Sequence, residues 1–249
     1  MSHSVQLSEI DTKPSSKMKK SEIRSEMISL LEQLTDIQER LYAQHAFSVL
    51  IVLQGMDTSG KDSAVKQVFT GVNPAGCNIT SFKAPTPIEL DHHFLWRISK
   101  KCPQKGMIHI FNRSHYEDIL VPMVKQTLPE KKLKERCEEI NVFEKGLLND
   151  HTIIMKFFLH VSQEQQFKRL EDRKSNPSKH WKYSRDDVVD IEKHKKYAKA
   201  YQFIFDHDAS LTPWTIIPAD KKWYKNYCIL NHIVKTLKQY AIEFPELVE

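Results

Sequence analysis

Ile23, Met27, Leu30, Leu34, Ile37 and Leu41 recur at alternating steps of four and three, which sets them on one stripe of a helix of about six turns. Such a stripe must be covered, by the chain's own core or by a second subunit. The pattern then changes. Val49 to Leu53 is a short, apolar, β-branched run that suits a strand buried on both faces, and Lys61 onward, through Ala64, Val65 and Val68, suits a helix. Further strands are predicted over 78–82, 107–111, 153–159 and 214–217, and further helices over 88–100, 133–148, 161–175 and 222–244. Pro85 and Pro87 break the path into the first of these helices. Strands alternating with helices predict an α/β fold, a doubly wound parallel sheet of about five strands with helices on both faces. No repeat or linker divides residues 21–249, which are expected to form a single domain, whereas residues 1–20 are polar and without period over most of their length and read as a flexible arm.

Composition narrows the class. The chain has 249 residues, 40% of them hydrophobic, enough for a sizeable core. Cys77, Cys102, Cys137 and Cys228 lie far apart, so neither a disulfide framework nor a zinc site is indicated. No apolar run approaches the roughly 20 residues of a membrane span, and the first ten residues lack the pattern of a signal peptide. A cytoplasmic protein with no membrane partner is expected. The net charge of +5 suits an anionic ligand without demanding nucleic acid.

The candidate chemistry begins where the first strand ends. Gly55 and Gly60 bracket a turn, and Lys61 follows, matching G-x-x-x-x-G-K with Asp62 at the usual Ser or Thr position and Ser63 one residue late. Glycine lets backbone N–H groups point at an anion, the following helix adds its positive end, and Lys61 adds a full charge. Asp57 is the unusual member, because a carboxylate about 4 Å from a bound phosphate is repelled by on the order of 1 to 4 kcal/mol. A hard cation between them resolves the conflict, so Asp57 reads as a ligand of Mg²⁺, directly or through water, with Mn²⁺ as a substitute. The alternative is that Asp57 caps a turn or the helix behind it.

A second polar cluster, NRSHYED at residues 112–118, falls where the third strand ends, at the edge where an open parallel sheet places its ligands. Asn112 stands where an acidic residue often helps hold the metal, and the acids arrive later, at Glu117 and Asp118. A purely structural role is a capping box from Ser114 to Glu117.

Together, GMDTSGKD at 55–62 and NRSHYED at 112–118 resemble the polyphosphate kinase 2 family, and FKAPT at 82–86, FLHVS at 158–162, Arg169 through Arg173, residues 177–182 and 213–223 are similar to its later segments. The resemblance implies a P-loop kinase with a helical lid that moves phosphoryl groups between inorganic polyphosphate and purine nucleotides. It makes Lys61 a phosphate ligand, Asp57 a metal ligand, Arg113 a clamp on the transferred group and Arg173 a lid contact. Asn112 is similar to the subgroup that takes both mono- and diphosphates. The candidate set is then Asp57, Lys61 and Arg113 for catalysis, and Asp57, Glu117 and Asp118 for metal. For phosphate and nucleotide it is Gly55, Thr58, Ser59, Gly60, Asp62, Ser63, Lys66, Lys83, Asn112, Glu117, Asp118, Arg169, Arg173 and Lys182. The stretch 190–197 departs from the family's pattern, which bears on acceptor range.

Residues 165–205 are expected to form a basic lid. Lys168, Arg169, Arg173, Lys174, Lys179, Lys182 and Arg185 make a row, with Arg169 and Arg173 on one helix face. Like charges so placed are either solvated or useful beneath a polyanion. Binding of a phosphate chain there should weaken steeply with salt. Residues 176–178 interrupt the helix and read as a hinge. The activity expected is Mg²⁺-dependent reversible transfer between polyphosphate and AMP, ADP, GMP or GDP, in a homo-oligomer (dimer or tetramer). The alternatives are an ATP-dependent nucleoside or nucleotide kinase on the same scaffold, which needs no extended basic lid, and a non-catalytic module for RNA or polyphosphate, against which stands the lack of interleaved aromatics beyond Trp181 and Tyr183.

Overall fold

A computed structural model of the chain describes residues 6–15 and 19–247, the side chains of 185 and 186 excepted. Five strands, β1 (Ser48–Gly55), β2 (Cys77–Ser81), β3 (Ile108–Asn112), β4 (Thr152–His160) and β5 (Trp214–Pro218), form one sheet in the order β2-β3-β1-β4-β5. Every pairing is parallel, with Val49 opposite both Ile108 and Ile153. All eight residues of β1 are buried, as a central strand covered on both faces must be, whereas the edge strands β2 and β5 are partly exposed. The order reverses at β1, so the crevice at the carboxyl ends of β1 and β3 is where a doubly wound sheet receives its ligands.

Ten helices connect and cover the described strands: α1 (Lys20–Gln44), α2 (Lys61–Val68), α3 (Pro87–Leu90), α4 (Trp96–Ser99), α5 (Glu117–Lys125), α6 (Glu130–Asn149), α7 (Gln163–Ser175), α8 (Arg185–Glu192), α9 (His194–Asp206) and α10 (Lys222–Leu237). The apolar stripe of α1 is buried on the chain's own core, where α1 packs along α10 and only Met27 remains partly exposed. Among the described residues no helix is long and apolar enough to cross a membrane.

Three expectations are corrected. The helix predicted over 88–100 is two short ones. Thr86 and Glu89 close a capping box at the start of α3, and Arg97 in α4 turns inward to donate to the Lys83 carbonyl at 2.9 Å and to Asp118 at 3.1 Å, which fixes the second piece against the cleft. The last helix stops at Leu237, because the chain beyond it is captured by α1, with Gln44 donating to the Ala241 carbonyl at 2.8 Å. The N-terminal arm is docked where it is described. Leu7 is buried and its N–H reaches Gln202 of α9, and Thr12 donates to Asp220 at 2.8 Å. The remainder of that arm, residues 1–5 and 16–18, lies outside the described residues.

Candidate active site

The turn from β1 to α2 is held by its carbonyls. Those of Gly55 and Met56 accept from Lys61 Nζ at 2.6 and 3.3 Å, that of Asp57 from Gln166 at 2.8 Å, those of Thr58 and Ser59 from Arg169 at 2.8 and 3.0 Å, and that of Gly60 from Lys225 Nζ at 2.5 Å. In a trans peptide the N–H points opposite the carbonyl, so drawing these carbonyls inward leaves loop amides other than that of Ser59, which donates to the Met56 carbonyl at 3.1 Å, available to an anion. Gly55 and Gly60 both have positive φ, +150° and +93°. A Cβ on Gly60 would sit 2.7 Å from Lys225 Nζ. Thr58 adopts φ +59° with no such freedom. Gly60, not Asp57, occupies the N-cap of α2, so the capping alternative for Asp57 does not hold there.

Across the crevice stands the turn after β3. Asn112 donates to Asp62 at 2.6 Å, and Arg113 follows with φ +64°, a left-handed conformation that costs a non-glycine residue roughly 1–3 kcal/mol and is retained only where its surroundings enforce it. Its guanidinium reaches Asp57 Oδ1 at 2.8 Å. The Gln54 amide, with its oxygen toward Ser114, donates to Glu117 Oε1 at 3.0 Å. The Ser114 to Glu117 capping box does not form: α5 begins at Glu117 with Tyr116 as an uncapped N-cap, because the Ser114 hydroxyl is engaged by Gln54 and the Tyr116 N–H.

Charge is strained across this gap. Burial pushes the Asp57 carboxyl up, but Lys61 and Arg113 more than offset it and hold it below its ordinary value. Burial, together with the Arg113 charge, pushes the Lys61 ammonium down. Burial raises the Glu117 carboxyl despite the pull of Arg113 and Lys61. From the lid side, Arg173 pairs with Asp187 at 2.5 Å, and Asp190 faces Asp57, its carboxyl pushed up by burial and by that like-charged neighbour while Tyr197 pulls the other way. These groups line a cavity of about 750 Å³ whose walls include Gly55, Asp57, Arg113 and Glu117, Tyr197 and Tyr201, and a stretch of Leu120, Val121, Pro122 and Leu128 interspersed with Lys125, Thr127 and Arg136.

The structure brings Gly55, Asp57, Lys83, Arg113, Glu117 and Asp118 to this cavity, with Gly60, Lys61, Asp62 and Asn112 adjoining. Asp118 is already held by Arg97. Thr58 and Ser59 keep their side chains buried within the loop, and Ser63 turns back to Gly60 and Lys225. Arg169 departs most from expectation: it does not share a phosphate-facing surface with Arg173, because its guanidinium is buried behind the loop, taken by the carbonyls of Thr58, Ser59, Ala219 and Asp220. Lys66 is exposed on α2, and Lys182 is exposed over the Trp181 ring. Much of the basic row is locally paired, Lys168 with Glu164, Lys174 with Glu171 and Lys179 with Asp172; the side chain of Arg185 lies outside the described residues. Sequence reasoning missed Lys225, Gln166, Tyr197 and Tyr201. Lys225 carried a usable signal, a lysine on the same helical stripe as Ile229 and Ile233, where burial is expected.

Among the described residues no group of three or more His, Cys, Asp or Glu side chains forms a metal cage. The donor set nevertheless suits Mg²⁺, which takes one or two carboxylates and completes its shell with phosphate oxygens and waters.

The sequence pattern of the family described as polyphosphate kinase 2 matches residues 17–245. The chain is 42% identical over 218 residues to the AMP/ADP-polyphosphate phosphotransferase of Meiothermus ruber, covering 87% of this chain and 82% of that one. It is 34% identical over 229 residues to the ADP-polyphosphate phosphotransferase of Rhodopseudomonas palustris, covering 87% and 79%. The crystal structure of polyphosphate kinase 2 from Arthrobacter aurescens TC1 superposes with a TM-score of 0.96 at 34% identity, over 100% of this chain and 90% of that one.

Proposed function

Because the chain belongs to the polyphosphate kinase 2 family, we propose that it transfers phosphoryl groups reversibly between inorganic polyphosphate and purine nucleoside mono- or diphosphates, with Mg²⁺ as cofactor. The observation that carries this reading is the facing of Asp57 and Arg113 at 2.8 Å across the glycine loop, on the wall of a cavity of about 750 Å³. Phosphoryl transfer needs two phosphate-bearing substrates held in line while charge on the moving group is neutralised. The loop amides and Lys61 hold one phosphate chain. Arg113 is 41% exposed and its pair with Asp57 is partly solvated, so that pair is worth about 0–1 kcal/mol and yields to a phosphate, which a guanidinium grips with two N–H groups. The acceptor is itself a phosphate, so no general base is required. Asp57 and Glu117 would hold the Mg²⁺, Asp118 being committed to Arg97; when bound, the ion neutralises charge on the reacting phosphates. Leu120, Val121, Pro122 and Leu128 offer apolar contact to a purine base, and Asn112 together with the Meiothermus ruber relative supports use of both AMP and ADP.

The test supplies polyphosphate as sole donor with Mg²⁺ and, in turn, AMP, ADP, GMP and GDP. Nucleoside di- and triphosphates are expected. Silence with every purine acceptor ends the proposal, and product only when ATP replaces polyphosphate moves the chain to the ATP-dependent kinase alternative.

A further inference from the structure

Behind the catalytic turn lies a buried polar node that the transfer scheme does not use. Lys156, in the middle of β4, is 1% exposed, and its ammonium donates to Glu144 Oε2 of α6 at 2.9 Å, to the Tyr116 hydroxyl at 2.9 Å, to both oxygens of Asp208 at 2.8 and 3.0 Å and to Ser210 at 2.8 Å. Glu144, fully buried, accepts in addition from the Tyr116 hydroxyl at 2.9 Å and is joined to His115 Nε2 at 3.1 Å. Two of these arms reach His115 and Tyr116, within three residues of Arg113. The others reach Asp208 and Ser210, just past the end of α9, the helix that brings Tyr197 and Tyr201 to the cavity. One ammonium therefore ties together β4, α6, the turn that bears Arg113 and the exit of the lid.

Left-handed backbone at a non-glycine residue persists only when neighbours over-determine it. The amide of Arg113 is fixed by Leu53 at 3.0 Å and Asn112 by Asp62, but on the far side the turn is fixed by His115 and Tyr116 through Glu144 and Lys156. We propose that Lys156, Glu144 and Tyr116 are positioning residues for the transfer step, holding the Arg113 turn and the end of α9 in a single arrangement that presents the guanidinium to the moving phosphoryl group. This rests on the reading of the site as one for phosphoryl transfer.

Tyr116→Phe is the variant of choice. It keeps the ring against Trp214 and leaves Lys156 with Glu144, Asp208 and Ser210, while removing the hydroxyl that joins the turn to the node. Misplacement of a catalytic group by an ångström costs roughly a hundredfold in rate, and Tyr116→Phe is expected to lower kcat by about ten- to a hundredfold with the KM for polyphosphate held within about twofold. The decisive readout is the double-mutant cycle with Arg113→Ala, since residues acting through one another are not additive: in the Arg113→Ala background Tyr116→Phe should change kcat little. An equal fold-loss in both backgrounds, or wild-type kcat in Tyr116→Phe, overturns the proposal. The triple variant Glu144→Gln, Lys156→Met, Asp208→Asn removes the buried charges together and must show the same dependence on Arg113, whatever the folding yield of Tyr116→Phe. Absence of transfer by the wild-type chain fails the functional reading and this inference with it, whereas an active wild type beside an unaffected Tyr116→Phe fails this inference alone.

Discussion

Lys61 and Lys156 are both buried ammonium groups, 9% and 1% exposed, yet their surroundings differ in kind. Lys156 is met by two carboxylates, a phenol and a serine hydroxyl, all from this chain. Lys61 is met by the carbonyls of Gly55 and Met56, with Arg113 as a like-charged neighbour and Asp57 shared between the two cations. A buried charge is tolerable when paired and hydrogen-bonded within the fold. The first cluster satisfies that condition by itself and is architecture. The second is met directly by carbonyls, with Asp57, Glu117 and Asp62 acting against the Arg113 charge, and on the reading proposed above a substrate phosphate completes it. Arg169 makes the same point from the other side: a guanidinium whose donors go to backbone carbonyls shapes the loop and has no donor pair left over for phosphate.

The contrast is sharpest if both lysines are truncated alike. Lys156→Met strands Glu144 and Asp208, and breaking a buried pair in this way costs about 3–5 kcal/mol, read as a fall in the denaturant midpoint. Lys61→Met should leave that midpoint within error or raise it, while lowering turnover by roughly a hundredfold or more. Similar losses of stability in the two variants would erase the distinction.

Asp57→Asn is next in size. It keeps the shape of the loop and removes the anionic charge, so turnover should fall about a hundredfold with the thermal midpoint unchanged; near-wild-type turnover would remove Asp57 from the site. Gly60→Ala should cost about 1–2 kcal/mol from its backbone conformation, and more from the 2.7 Å approach of Lys225. Lys225→Met in the same chain should recover part of that loss in a denaturant titration.

The last effect is a dependence on pH. Burial, helped by Arg169, pushes the Lys225 ammonium down to about 7 from an unfolded value of 10.5. The folded chain then binds fewer protons than the unfolded one between those values, so stability rises with pH across about 7 to 10.5. The difference in unfolding free energy between wild type and Lys225→Met should drift in the wild type's favour over that window; a flat difference would show Lys225 ionising normally. Glu144 adds a rise of the same sign at low pH. Held at about 2 by Lys156 and His115 against its burial, it contributes stability that is present above pH 4.5 and lost as pH falls toward 2.

What the sequence showed and what it hid follow from the range of the forces involved. All five strands and the glycine loop were legible because apolar runs, glycine spacing and the lysine after them are local signals. The stripe of α1 gave the helix but not its partner, which is α10 nearly two hundred residues away in sequence. Arg169 looked like a phosphate contact because its chain neighbours are basic; its role is set by carbonyls more than a hundred positions earlier, at Thr58 and Ser59. Helices α8 and α9 were expected only as part of a lid over 165–205, and Tyr197 and Tyr201 went unassigned, because α9 buries Ala200, Tyr201, Ile204 and Phe205 in the core while turning Tyr197 and Tyr201 to the cavity, a division that no local spacing reveals. Asp57 and Arg113 were singled out from separate motifs, and only the parallel order of β1 and β3 brings them together.

On the proposed reading the Lys61 cluster takes a phosphate chain as donor. Phosphorus NMR of the wild-type chain with polyphosphate, Mg²⁺ and ADP observes it directly: the account predicts growth of the ATP γ-phosphate signal in step with loss of polyphosphate signal, and neither change with Lys61→Met. Polyphosphate resonances that stay constant in the wild type, or an ATP signal that grows equally without polyphosphate, would contradict it.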